Sequence, residues 1–283
     1  MTRHCIARDV RIGPGEPLAI IAGPCVLESL DMGLAIAELL SNTCAEAGLP
    51  FIFKASFDKA NRSSVKSPRG PGLERGIEWL CRIADEIDVP VTTDIHDPEQ
   101  AETVAAAIDV IQIPAFLCRQ TDLIAAAGAA AAKHNRAVNV KKGQFLSPAE
   151  MRGPVNKLAE SGCTNVLLTD RGTFFGYNRL VNDFIGLGDL MELDVTGGHP
   201  PVCFDCTHST QLPGLGEQTG GRRERSPLLA RAATAAGVHA LFLECHPEPS
   251  RSLSDSATVL PLADVPDLLA AIATIRRAVD ACV

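Results

Sequence analysis

Polar side chains that could do chemistry recur at one kind of place in this 283-residue chain, directly after short apolar runs. Cys25 follows IIAGP; Lys54, Lys59, Asn61 and Arg62 follow FIF; Asp94 and His96 follow VTT; Gln112 lies at the end of DVIQI. Lys141 and Lys142 follow AVNV, Asp170 and Arg171 follow NVLLT, His208 follows CFDCT, and Glu244 follows ALFL. Gathered in one partly desolvated opening, Lys54, Lys59, Arg62, Lys141 and Arg171 would require a counter-charge. Phosphate suits them, since Arg offers a bidentate fork and Lys a point charge. The glycine-rich stretches RGPG (69–72) and TGGRR (219–223) permit close backbone approach to such a group. Taken singly, each of these cations reads more often as a solvated surface charge.

A second set has metal-ligand chemistry. Cys25, His208, Glu244 and Asp255 lie 183, 36 and 11 residues apart, which is no local motif. Spacing alone therefore leaves a packed thiol and a hydrogen-bonded core histidine as the plain alternatives. If the fold makes the first, seventh and eighth apolar runs neighbours, thiolate, imidazole and carboxylates meet. Such a mixed donor set suits a borderline divalent ion: Zn, Fe(II) or Mn(II).

Elements that could position these groups follow from periodicity. Strand-like runs fall at Leu18–Ala22, Pro50–Phe53, Val89–Thr93, Asp109–Ile113, Ala137–Val140, Asn165–Leu168, Val202–Phe204 and Ala240–Leu243. Helical segments alternate with them at Leu30–Ala47, Leu73–Ile87, Pro98–Ala107, Thr121–His134, Pro148–Glu160, Tyr177–Leu190, Pro227–Ala236 and Leu262–Val279. Repeated strand–helix units imply parallel strands with right-handed crossovers, and at this length a closed (β/α)8 TIM barrel fits better than an open sheet. The barrel places functional side chains at the C-terminal ends of its strands, where the polar residues fall. CIARDVRIG reads as a short N-terminal hairpin capping the bottom, and no linker composition divides residues 1–283, so one catalytic domain is expected.

Composition narrows the function classes. The formal charge of −8 and only 4% aromatic residues argue against nucleic acid or anionic lipid as partners. No segment approaches the ~18 apolar residues of a membrane helix, and Met1–Gly15 lacks a signal-peptide core, so a cytoplasmic protein is expected. Ten scattered cysteines fit reduced packing residues. Cys203 and Cys206 form a C-x-x-C within a strand, where residues three apart face opposite sides and cannot share a metal.

The stretches IAGPCVLES (21–29), FKASFDKANRSS (53–64), RGPGLERG (69–76), DVIQIPAFLCRQTDL (109–123), NVKKGQF (139–145), LTDRGTFFGYNRLVND (168–183), FDCTHS (204–209) and ECHPEP (244–249) resemble the 3-deoxy-D-manno-octulosonate 8-phosphate synthase family. The resemblance covers nearly the whole chain. It implies a (β/α)8 barrel, a homotetramer, and condensation of phosphoenolpyruvate with D-arabinose 5-phosphate on the route to lipopolysaccharide. It further implies that Lys54, Lys59, Gln112, Lys141, Arg171 and His208 hold phosphoenolpyruvate. Asn61, Arg62 and Ser63 would grip the sugar phosphate, with Asp94 near its hydroxyls, and Ser56 and Ala115 join the substrate-binding set. Phe116 and Arg119 match positions that reach a neighbouring subunit's site. At the position of Cys25 one branch of the family has Asn and needs no metal, whereas the other has Cys and binds a divalent ion. Cys25, with SLSDSAT (252–258) supplying Asp255, resembles the metal-binding branch. The RRER segment (222–225) departs from that branch's pattern. The related enzyme using erythrose 4-phosphate typically carries KPRT-like sequence where this chain has KANRSS, and a metal-dependent aldolase would leave the second group of cations unexplained.

Overall fold

The computed structural model describes residues 3–60, 67–213 and 220–282. Eight parallel strands run in chain order: β1 (Ala19–Gly23), β2 (Phe51–Lys54), β3 (Val91–Asp94), β4 (Val110–Ile113), β5 (Ala137–Lys141), β6 (Val166–Asp170), β7 (Val202–Asp205) and β8 (Ala240–His246). β8 pairs with both β7 and β1, which closes the ring. The helices outside it are α1 (Leu30–Ala47), α2 (Leu73–Ile87), α3 (Gln100–Ala107), α4 (Thr121–His134), α5 (Arg152–Glu160), α6 (Phe184–Met191), α7 (Ser226–Ala235) and α8 (Val265–Asp280). This is the (β/α)8 barrel that the alternating pattern predicts.

Each strand is buried on both faces, and the period of two sorts its residues between two separate cores. Outward-facing Ile20, Phe53, Ile111, Val140, Leu168 and Leu243 pack against the helices. Inward-facing Ala19, Ile21, Ile52, Val110, Ala137, Leu167, Ala240 and Phe242 fill the lower lumen. Cys5, Ala7, Val10 and Ile12, from an antiparallel hairpin (Cys5–Ala7 with Val10–Ile12), belong to that inner cluster and plug the bottom. Cys203 lies in the inner core and Cys206 in the outer one, on opposite faces as the strand period requires. Above the apolar layers the same inward positions become polar: Lys54, Asp94, Gln112, Lys141, Asp205 and Glu244 are all buried.

Several element boundaries differ from the sequence reading. The sixth helix was expected over Tyr177–Leu190 but begins at Phe184. The Asp183 carboxylate accepts the backbone N–H groups of Ile185 and Gly186, which defines the helix start. Before it, Thr173 and Val181 pair as an antiparallel bridge, and Tyr177 is exposed. The third helix starts at Gln100, not Pro98, because the Gln100 side chain accepts the N–H of His96 at 2.7 Å. Pro148–Met151 forms a 3-10 turn with a Ser147–Glu150 capping box before α5 begins.

His239 joins three neighbouring strands at the foot of β8. Its Nδ1 accepts the Val202 N–H at 3.0 Å, its N–H donates to the Val202 carbonyl at 2.9 Å, and its carbonyl accepts the Ala19 N–H at 3.1 Å. Burial and the nearby Arg276 charge bring its imidazole down to about 4. The unfolded chain, with an ordinary histidine near 6.5, thus takes up a proton that the folded chain refuses between those values. Stability from this site should be complete above pH ~6.5 and decline towards pH 4, by up to about 3 kcal/mol. In His239→Gln, denaturant unfolding should lose that part of the acid slope. An unchanged slope would place it elsewhere.

Candidate active site

The mouth of the barrel is built from the last inward residue of each strand and the loop beyond it. At the end of β1, Gly23 pairs with Glu244 of β8. A Cβ on Gly23 would lie 2.1 Å from the Lys54 carbonyl oxygen, so only glycine leaves room there. Across this gap the Lys54 ammonium reaches Glu244, and it also donates to the Cys25 carbonyl at 3.1 Å. Lys141 likewise reaches past β6 to Asp205 of β7 at 2.6 Å, and its ammonium sits 3.5 Å from the centre of the Phe242 ring. Lys142, the next residue, points to the other face and pairs with Asp170 at 3.2 Å.

These pairs correct one expectation. Lys54 and Lys141 are not bare cations awaiting phosphate, because buried carboxylates on β8 and β7 already face them. Among the described residues Arg171 makes no ion pair; it donates to Gln211 and, at 3.4 Å, to the His208 carbonyl. Lys59 donates to the Ser56 hydroxyl at 3.0 Å, and Ser56 donates to Asp94. His96 approaches the other Asp94 oxygen at 2.9 Å. Burial works to raise the Asp94 carboxyl, but the His96 hydrogen bond and the charges of His96, Lys59 and Lys54 hold it well below the usual range.

Asp205, fully buried, organises the seventh strand's loop. One of its oxygens accepts the N–H of Thr207 and of His208, at 3.1 and 2.9 Å, and the other meets His208 Nδ1 at 2.7 Å. Despite burial, the charges of His208 and Lys141 keep this carboxyl well below its ordinary range. With Nδ1 held, His208 turns Nε2 towards Glu244 at 3.5 Å and Asp255 at 4.0 Å. Asp205 was missed as a site residue. Its signal was available, since it is two residues beyond inward-facing Cys203 and shares its face.

Among the described residues, single donor atoms of Cys25, Glu244 and Asp255 lie within 4.8 Å of one another. Cys25 Sγ is 3.0 Å from an Asp255 oxygen. Burial raises the Cys25 thiol well above its normal value, and the Glu244 and Asp255 charges add to this against Lys59 and Lys54. Glu244 Oε2 is buried without a hydrogen-bond partner, an arrangement that costs free energy unless something else meets it. A thiol, two carboxylates and an imidazole held by a third carboxylate, Asp205, therefore fit a divalent cation, in donor chemistry and in outer-shell support.

The remaining predicted residues divide. Gln112 and Ala115 are buried at the end of β4, whereas Phe116 and Arg119 on the turn beyond are exposed and make no contact with this network. Asn61, Arg62 and Ser63 lie outside the described residues. Gln211, which the sequence reading did not single out, bridges Arg171 and Asp255.

Fold and site together define a (β/α)8 barrel whose C-terminal mouth combines buried lysines, a buried arginine and a cysteine–carboxylate group that could hold a cation, the constellation of an enzyme. Residues 2–280 match the DAHP synthetase I family. A 2-dehydro-3-deoxyphosphooctonate aldolase from a Synechococcus species is 51% identical over 95% of this chain and 92% of its own length. Proteins of the same name from Protochlamydia amoebophila and Nitratidesulfovibrio vulgaris are 49% and 53% identical, covering 94% and 88% of this chain and 94% and 89% of their own. The chain belongs to the DAHP synthetase I family, and within it to the 2-dehydro-3-deoxyphosphooctonate aldolases.

Proposed function

We propose that the chain condenses phosphoenolpyruvate with D-arabinose 5-phosphate and water to give 3-deoxy-D-manno-octulosonate 8-phosphate and inorganic phosphate, for lipopolysaccharide synthesis. The observation that carries this reading is the meeting of Lys54, Lys141 and Arg171 with the Cys25–Glu244–Asp255 group in one mouth, in a chain about half identical to several 2-dehydro-3-deoxyphosphooctonate aldolases. The transfer of the three-carbon unit from phosphate to the aldehyde carbon makes it a transferase. The methylene carbon of phosphoenolpyruvate bonds to the aldehyde carbon, whose oxygen takes a proton. Water adds to the electron-poor central carbon and gives up a proton. The resulting hemiketal phosphate collapses to the ketone with cleavage of the C–O bond to phosphate.

In this reading Lys54, Lys59, Gln112, Lys141 and Arg171 hold the carboxylate and phosphate of phosphoenolpyruvate and stabilise charge as it moves. His208 belongs to the same phosphoenolpyruvate set, and Asp94, which accepts from the substrate-binding Ser56, lies near the hydroxyls of the sugar phosphate. Cys25, His208, Glu244 and Asp255 would hold a divalent ion (Zn, Fe(II) or Mn(II)), which supplies Lewis-acid polarisation of oxygen when bound. Phe116 and Arg119, exposed here, serve a neighbouring subunit of a homotetramer, and the whole chain acts as one catalytic unit. Ten free cysteines, one of them exposed, support a reducing cytoplasmic setting; among the described residues no helix is long and apolar enough to cross a membrane.

The direct test supplies phosphoenolpyruvate with a panel of aldose phosphates and follows phosphate release. Arabinose 5-phosphate should support turnover and erythrose 4-phosphate should not; the reverse would move the chain to the related family activity. Within the same assay, Arg62→Ala should lower use of arabinose 5-phosphate roughly ten- to a hundred-fold, from loss of a charge-assisted hydrogen bond. Phosphoenolpyruvate binding without the sugar should barely change. Equal weakening of both substrates would show that the cations are not divided in this way.

A further inference from the structure

Gln211 bridges Arg171 and Asp255 with the two ends of one amide. Its Oε1 accepts from the Arg171 guanidinium, and its Nε2 donates to Asp255 Oδ1 at 3.1 Å. Asp255 thereby keeps its other oxygen, Oδ2, beside Cys25 Sγ at 3.0 Å and His208 Nε2 at 4.0 Å. The chemistry of the bridge is specific. Arginine can only donate and an ionised aspartate can only accept, so the link needs an acceptor on one side and a donor on the other. A carboxamide supplies both without adding charge, and glutamate in its place would face Asp255 with a second anion.

The backbone around Gln211 is seated on the Asp255 loop. Gln211 pairs with Gly221, and the Arg222 N–H donates to the Thr210 carbonyl at 3.0 Å. A Cβ on Gly221 would lie 2.3 Å from the Thr258 methyl carbon and 2.8 Å from the Ala257 carbonyl oxygen. Arg223, within the divergent RRER segment, donates to the Ser256 carbonyl at 2.6 Å. The Gln211 amide is therefore fixed relative to the loop it bonds.

We propose that Gln211 is a positioning residue that couples anion binding at Arg171 to cation binding at Cys25, Glu244 and Asp255. An anion that immobilises Arg171 fixes the amide, and the amide then presents Asp255 Oδ2 to the cation. Coupling of this kind is reciprocal, so a bound cation tightens the anion by the same factor. The inference rests on the metal reading and on Arg171 as a phosphoenolpyruvate ligand.

The test titrates Co(II) into metal-stripped full-length protein, reads thiolate-to-metal absorption, and repeats the titration with phosphoenolpyruvate alone. Wild type should bind Co(II) more tightly when phosphoenolpyruvate is present. Gln211→Met should bind Co(II) more weakly and lose roughly five-fold or more of that tightening, keeping only the through-space attraction of the two charges. Gln211→Glu, which can still accept from Arg171, should weaken Co(II) binding while leaving phosphoenolpyruvate affinity in metal-free protein near wild type. Melting curves of both variants identify a folded comparison. Tightening of equal size in wild type and Gln211→Met would overturn the coupling role with the metal site intact. Wild type that takes up no Co(II) would overturn the metal reading, and the inference with it.

Discussion

Chelation should abolish turnover, with Mn(II), Fe(II) or Zn(II) restoring part of it, and Cys25→Ala should remove both bound metal and activity. Cys25 is 2% exposed and lies against Asp255, with Glu244 in the same group. Removing its sulfur leaves two carboxylates and an imidazole with a vacant coordination position. The loss in metal affinity should exceed the roughly 10–100-fold that follows loss of an outer-shell partner. Cys25→Asn is the more informative change. An amide can hydrogen-bond within the same group, and the resemblance implies Asn at this position in the family's other, metal-free branch. Measurable chelator-resistant turnover, below wild type, is expected. Full activity in metal-stripped wild type would remove the metal assignment and leave Cys25 as a packed thiol.

Lys141→Met should combine a loss of stability with a loss of activity, and the two can be separated. Lys141 and Asp205 are 5% and 0% exposed and 2.6 Å apart. Deleting one partner of a buried pair costs about 3–5 kcal/mol because the other charge stays buried. For a chain of this size that corresponds to a fall in melting temperature of roughly 5–8 °C. Turnover should fall roughly ten- to a hundredfold, since on the proposed function the charge that would hold phosphoenolpyruvate is gone. Adding Asp205→Asn removes the stranded charge, so most of the melting temperature should return. Activity should not, because the substrate contact is still missing and His208 has lost the carboxylate that orients it. Recovery of turnover in the double variant would assign Lys141 a purely structural role. An unchanged melting temperature in Lys141→Met would show that the pair is solvated in solution.

Strand positions were legible because a strand buried on both faces reads as a dense apolar run, and each barrel strand has one. The helix boundaries were less so. Tyr177–Asn182 carries residues compatible with a helix, and only the capping geometry of Asp183 and the Thr173–Val181 bridge places the start at Phe184. The polar residues at strand ends were visible by spacing, and Asp205 could have been found by extending the two-residue period from Cys203. Gln211 could not. It lies on a short crossing strand beyond β7, and its importance comes from Arg171 and Asp255, which are 40 and 44 residues away along the chain.

The sequence by itself determined the repeat, the closed barrel and the end of the barrel at which chemistry gathers, since these depend on local periodicity and on the order of elements. It also supplied the residue types for anion and metal binding. Only the tertiary structure decided their partners. Lys54 meets Glu244, and Lys141 meets Asp205, because alternate strands of a closed ring share a layer, and for Lys54 the intervening Gly23 leaves the gap it crosses. Which charge neutralises which depends on that three-dimensional adjacency, and electrostatic energy is set by distance and burial, neither of which spacing along the chain contains.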